Sequence, residues 1–203
     1  MKRVFVGVPL AEEFAVQAGD IKYIIGEAEG VRWLAPQNLH VTLIPPWESE
    51  NITEVINLLN GVKSKSFILE FGAVSLGPKP SSPRLIWATG NAPVELIMVR
   101  NQIQKALNET VRIPRGRIRY APGEFLMHAT LARLRPQLSE VFPQLPMSIL
   151  CRMQVKEFVL YESILKPQGA EYTKLARFNL LQSKKIKALF FLAYLVLLTG
   201  INL

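Results

Sequence analysis

The sequence predicts an α+β fold, and three observations carry that prediction. Short β-branched or alternating stretches are interleaved with stretches of helical periodicity, and the links between them are short. Apolar residues fill 49% of the 203 positions and charged residues 20%, enough to bury a core and unlike a disordered chain. Two strand-like segments 88 positions apart carry the same pattern, His-x-Thr-Leu, which hints at one copy in each of two small lobes sharing a cleft. Self-similarity elsewhere is too weak to define a repeat.

The elements follow in order. Arg3 to Val8 is β-branched and reads as a first strand. Ala11 to Ala28 is helix-like and closes at Gly30. Leu39 to Ile44 is a strand that Pro45 and Pro46 should stop. Asn51, with Glu54 three residues on, marks a helix start, and Ile52, Val55, Ile56 and Leu59 repeat at helical spacing after it. Phe67 to Leu76 is a strand, GPKPSSP a loop, and Arg84 to Thr89 another strand. Leu96, Val99, Ile103 and Leu107 form a helical stripe. RIPRGRIR, residues 112–119, is a basic connector. Leu126 to Leu131 is a strand, Met153 to Ser163 a longer one, and Tyr172 to Leu180 closes the domain, which should occupy residues 1–182.

Composition limits the function classes. A formal net charge of +8 and a pI near 9.7 favour anionic partners such as nucleic acid, a phosphate ligand or an acidic membrane surface. Cys151 stands alone, so no intrachain disulfide forms, a Cys-rich zinc site is excluded, and a reducing, cytoplasmic setting is expected. MKRVFVGVPLAEE is not a signal peptide, because its apolar run is short, holds a proline and meets Glu12 and Glu13 at once. Residues 183–203 form a basic then apolar tail in which Ala188 to Leu198 is uninterrupted apolar sequence. A spanning helix needs about 20 such residues, so the tail is expected to pack on the body or on a second copy, with membrane association as the alternative.

The only two histidines sit in the paired motifs, NLHVTL and FLMHATLAR. Side chains alternate along a strand, so His40 and Thr42 share one face while Val41 and Leu43 anchor the other. His128, Thr130, Ala129 and Leu131 repeat the arrangement. Two such platforms facing each other would bring two imidazoles and two hydroxyls to one pocket. Imidazole titrates near neutrality, so one ring can be an acid and the other a base. Hydroxyls donate to phosphate oxygens as charge builds at phosphorus. This constellation suits phosphodiester cleavage with no metal and no cofactor. Zinc is a poorer reading, since no Cys lies near and no carboxylate completes a third ligand. Arg133 falls on the opposite face from His128 unless a bulge turns it inward. Arg112, Arg115, Arg117 and Arg119 read as a solvated loop or as a track for an RNA backbone. Among the tryptophans, Trp87 reads as core, and Trp47 is the better candidate for stacking a terminal base, with Trp33 a further one.

The paired motifs resemble those of the two-histidine (2H) phosphoesterase superfamily, and within it the RNA 2′,3′-cyclic phosphodiesterase family, historically called 2′-5′ RNA ligase. VRWLAPQNLHVTL, PRLIWA, HATLAR and VLYESILKPQGAEYTKLARFNL extend the resemblance from about Met1 to Leu181. It implies a bilobal α+β fold, with two antiparallel sheets facing a central cleft and helices outside. It implies an enzyme that opens terminal 2′,3′-cyclic phosphates on RNA to 2′-phosphates, with His40 as proton donor, His128 as proton acceptor, and Thr42, Thr130 and Arg133 binding the phosphate. Run backwards with a 5′-hydroxyl RNA end, the same chemistry joins ends through a 2′-5′ bond without ATP. The sequence departs from the family at IPPW after the first motif and at Met127, where a proline often precedes the second histidine. A monomer acting on an RNA end is expected. Alternatives are a relative acting on a small cyclic nucleotide or 2′-5′ oligoadenylate, a non-catalytic RNA-end-binding protein, and a membrane-associated protein whose tail is the functional part.

Overall fold

The structure is a computed structural model that describes residues 1–79, 81–108, 125–135, 142, 145–166 and 169–182. The basic connector and the apolar tail lie outside the described residues.

Strand β1 (Lys2–Pro9) is buried along Val4, Val6 and Val8 and leads into helix α1 (Glu12–Ile25). Glu12 and Glu13 occupy the first turn of α1, where carboxylates complement the helix dipole. The helix ends earlier than its periodicity suggested. Gly26 adopts a left-handed φ of 85° and donates its N–H to the Lys22 carbonyl at 2.8 Å, closing the last turn. The short strand β2 (Val31–Trp33) and a 3₁₀ turn (Pro36–Asn38) follow. Strand β3 (His40–Ser49) precedes α2 (Ile52–Asn60), which Asn51 caps by accepting the Glu54 N–H at 3.0 Å. Then come β4 (Phe67–Gly77), β5 (Leu85–Gly90) and α3 (Val94–Asn108). Leu96, Val99, Ile103 and Leu107 of α3 are all buried, as their spacing predicted. Strands β6 (Met127–Leu134), β7 (Met147–Val155), β8 (Glu157–Lys166) and β9 (Gly169–Asn179) complete the described chain.

All strand pairings are antiparallel, in the order β7-β4-β5-β6-β3-β1-β8-β9, with β2 added against β6. The path pinches in the middle. Strands β3 and β6 share a single register pair, Val41 with Ala129, whereas every other neighbouring pair on the path shares four or more. The expected two antiparallel sheets are thus two four-stranded halves of one path, hinged at the strands that carry the histidines. The main core gathers the inward residues of both halves with Phe14, Val55, Leu59 and the α3 stripe. A smaller cluster of Phe5, Val159 and Tyr161, with Tyr172 against it, lies on the opposite face of the β3-β1-β8-β9 half.

Two strand readings are corrected. Strand β3 does not stop at Pro45 and Pro46. Val4 faces Trp47 and Val6 faces Ile44, so the prolines fall in a bulge where one residue is surplus to the ladder. Proline cannot supply a ladder N–H, and at a bulge on a strand already parted from β6 none is required. The single strand expected over Met153 to Ser163 is two strands. The chain leaves β4 with β7, passes Lys156, and enters the other half as β8 beside β1. The Lys156 carbonyl accepts the Leu180 N–H at 2.8 Å, which fixes the crossing point. Among the described residues no helix is long and apolar enough to cross a membrane.

Candidate active site

The pinch is where the two motifs meet. In an antiparallel pair, residues directly opposite project from the same face. Extending the Val41–Ala129 register by one residue each way sets His40 across from Thr130 and Thr42 across from His128. All four side chains therefore lie on one face, with the two histidines on a diagonal. The four are half-buried, and they alternate with Val41, Leu43, Ala129 and Leu131, which are buried.

Each ring is aimed by the same device. His40 Nδ1 lies 2.7 Å from the Asn38 carbonyl oxygen, and His128 Nδ1 lies 3.0 Å from the Leu126 carbonyl oxygen. A carbonyl only accepts, so each Nδ1 carries a proton and each neutral ring presents an unprotonated Nε2. Thr42 donates its hydroxyl to His40 Nε2 at 3.1 Å. In both motifs the partner is the residue two before the histidine, a local bond that the strand entry itself supplies.

The surroundings of the two rings differ. His40 sits among Phe5, Tyr161 and Tyr172, with centroid distances of 4.8, 6.0 and 5.2 Å. Phe5 stacks on Tyr161, and Gly7 leaves room for the imidazole. A Cβ on Gly7 would meet the Val41 oxygen at 3.1 Å and His40 Cδ2 at 3.2 Å. His128 instead rests against the Trp87 ring at 4.8 Å, and the Trp87 indole N–H donates to Ser75 Oγ at 3.0 Å. Trp87 occupies space that a side chain on Gly77 would fill, since a Cβ there would stand 2.1 Å from the ring. Thr89 pairs with His128 across β5 and β6.

Burial pushes the His40 pKa down to about 4, opposed by the bond to the Asn38 carbonyl and reinforced by the charges of His128 and Arg133. Burial also lowers that of His128, opposed by its bond to Leu126. Both rings are therefore neutral at pH 7 when the site is empty.

Arg133 reaches this face through a bulge. Between Ile86 and Trp87 of β5 the register on β6 jumps from Ala132 to Thr130, so Leu131 is an extra residue. Leu131 and Ala132 are consecutively buried, and Arg133 emerges exposed in phase with His128 and Thr130. The odd spacing that set Arg133 on the wrong face is reset by one residue.

The tryptophan ranking is corrected. Trp47 lies across from Val4 on the core face and is 2% exposed, so it cannot stack a base. Trp87 is buried, as expected, but it forms the floor under His128. Trp33 is half-buried and lines a cavity of about 400 Å³ with Arg32, Gln37, Asn38, Arg133 and Tyr172. Sequence reasoning did not single out Phe5, Tyr161, Tyr172 or Arg32. The first three are strand aromatics whose alternation alone does not tell the core face from the site face. Burial raises the Cys151 thiol pKa, aided by the Glu13 carboxylate, which fits a packing residue. Among the described residues no three His, Cys, Asp or Glu side chains group as a metal site.

Residues 8–87 match the family described as LigT like phosphoesterase. An RNA 2′,3′-cyclic phosphodiesterase of Archaeoglobus fulgidus is 26% identical over 182 residues, covering 87% of this chain and 99% of that one. Over the matched residues, which hold the first His-x-Thr unit, the chain is similar to the LigT-like phosphoesterases. Its fold is shared with solved structures. A crystal structure from Thermus thermophilus superposes with a TM-score of 0.72 at 24% identity, over 87% of this chain and 97% of that one. E. coli LigT complexed with phosphate superposes with a TM-score of 0.68 at 24% identity, over 89% and 98%.

Proposed function

We propose that this protein hydrolyses the 2′,3′-cyclic phosphate end of RNA to a 2′-phosphate. The observation that supports the reading most is the placing of two His-x-Thr units on one face, each ring presenting Nε2. The name of the Archaeoglobus relative supports the substrate class.

In this mechanism a water oxygen attacks phosphorus and gives its proton to His128 Nε2. The bond from phosphorus to the 3′ oxygen breaks, and His40 Nε2 donates a proton to that oxygen. Thr42, Thr130 and Arg133 hold the non-bridging oxygens and stabilise the charge that gathers there. His40 must be protonated to act, yet it is neutral in the empty site. The anionic substrate supplies the correction, because a phosphate beside Arg133 cancels one of the charges that depress His40 and attracts its proton. The reverse reaction replaces water with a 5′-hydroxyl end and forms a 2′-5′ bond. These steps call on no metal.

The test is incubation of the full chain with an oligoribonucleotide ending in a 2′,3′-cyclic phosphate, with EDTA present, followed by ³¹P NMR. A 2′-monophosphate is expected. A 3′-monophosphate, loss of turnover with EDTA, or conversion only of small nucleotides would overturn the reading.

A further inference from the structure

The cavity beside His40 contains a charge arrangement that the hydrolysis of one phosphate does not use. Arg32 on β2 and Arg133 on β6 are direct register partners, so two guanidinium groups leave neighbouring strands from the same face. Like charges placed opposite each other across a ladder are unfavourable. Among the described residues neither is in an ion pair. Glu171 also lines the cavity, but its carboxylate is held by Lys166 at 2.6 Å. Arg32 is nonetheless given a definite place. Its guanidinium lies against Gly169, where a Cβ would be 3.1 Å from Cζ, and Gly169 has a φ of 132° that disfavours any side chain. Asn38 and Tyr172, both in contact with His40, form part of the same wall, so the cavity is continuous with the site.

We infer that Arg32 binds a second phosphate of the substrate, the 5′-phosphate of the nucleotide whose cyclic phosphate is being opened. This rests on the proposed function and deepens it. Arg133 attends the reacting phosphate, and Arg32, one strand further out, attends the next one along the chain. The two positive charges, costly side by side in the empty cavity, become complementary to a pair of anions. A mononucleoside cyclic phosphate has nothing to offer Arg32, whereas any RNA end does. The cavity thus selects oligonucleotide ends over free cyclic nucleotides.

The test compares kcat/KM on three probes: adenosine 2′,3′-cyclic phosphate, the same compound carrying a 5′-phosphate, and the dinucleotide ApA ending in a 2′,3′-cyclic phosphate. The wild type should favour the second and third by about 10- to 100-fold, the size of one charge-assisted hydrogen bond. That preference should shrink at high salt. Arg32→Ala should reduce it to within about threefold, through KM, and Arg32→Lys should restore part of it. Equal wild-type rates on the first two probes, or a preference that survives Arg32→Ala, would overturn the subsite while leaving the hydrolysis standing. No turnover of any probe by the wild type would overturn the proposed function and this inference together.

Discussion

The two histidine strands are nearly the same object in backbone and different objects in setting. Each ring is pinned by the carbonyl two residues before it, and each motif offers a threonine on the same face. Around His40 the neighbours are Phe5, Tyr161 and Tyr172; around His128 they are Trp87 and Thr89. The lesson is that the motif fixes direction while the sheet around it fixes proton affinity. His40, enclosed in aromatic rings and facing the charges of His128 and Arg133, is driven down to about 4. His128 is lowered by burial alone. The two rings are set apart here by the strands beside them, not by the four letters of the motif.

The comparison is broken most directly by deleting each ring. His40→Ala and His128→Ala should each lower kcat by about 10²–10⁴-fold on a cyclic-phosphate-ended oligonucleotide, with binding of a non-hydrolysable end largely kept. Wild-type rates in both variants would remove the mechanism.

The packing glycines come next. Gly77→Ala drives a methyl into the Trp87 ring under His128, and Gly7→Ala presses on His40 and the Val41 carbonyl. Overpacking of this kind costs about 1–3 kcal/mol, and Gly77→Ala should lie at the upper end. Urea unfolding with kcat in parallel checks it; Gly7→Ala as costly as Gly77→Ala would contradict the geometry.

A finer probe is pH. Ring-proton NMR should find His40 titrating near 4 in the free protein and higher with inorganic phosphate bound; no movement would argue against phosphate contact. Since kcat/KM reports the free enzyme, its maximum should fall below pH 6.5, the ordinary histidine value. A flat profile from about pH 5 to 9 would dissolve the acid–base pair. The same shifts set a sign for stability. Both folded pKa values lie below the unfolded one, so the unfolded chain binds protons first as pH falls. Histidine-linked stability is complete above about pH 6.5 and is lost as pH drops toward 4, readable as a falling Tm.

The smallest effect expected is from Ser75→Ala, which removes the partner of the Trp87 N–H. A cost of about 1 kcal/mol is anticipated, together with a modest loss of kcat through the His128 side.

Much of this was legible in the residues. The α3 stripe, the Asn51 cap and the pairing of His40 with Thr42 and of His128 with Thr130 all follow from periodicity and local bonding, which sequence encodes directly. What escaped depended on register. Nothing in MQVKEFVLY marks Lys156 as a crossing point, because no turn residue interrupts it. Trp47 follows two prolines that would end a regular strand, yet a bulge carries it inward to face Val4. Strand β2 has only three residues, too few for any alternation to show. Arg32 gained significance only when β2 was seen beside β6, a neighbour more than ninety positions away.

Leu131 illustrates how such a count can matter more than a side chain. Exchanging it for another apolar residue of similar bulk would be scored as ordinary interior filling. Removing it altogether would bring Arg133 to four residues after His128, still on the imidazole face but with a regular ladder between β5 and β6. A bulge at a buried position thus lets an odd spacing serve as an even one.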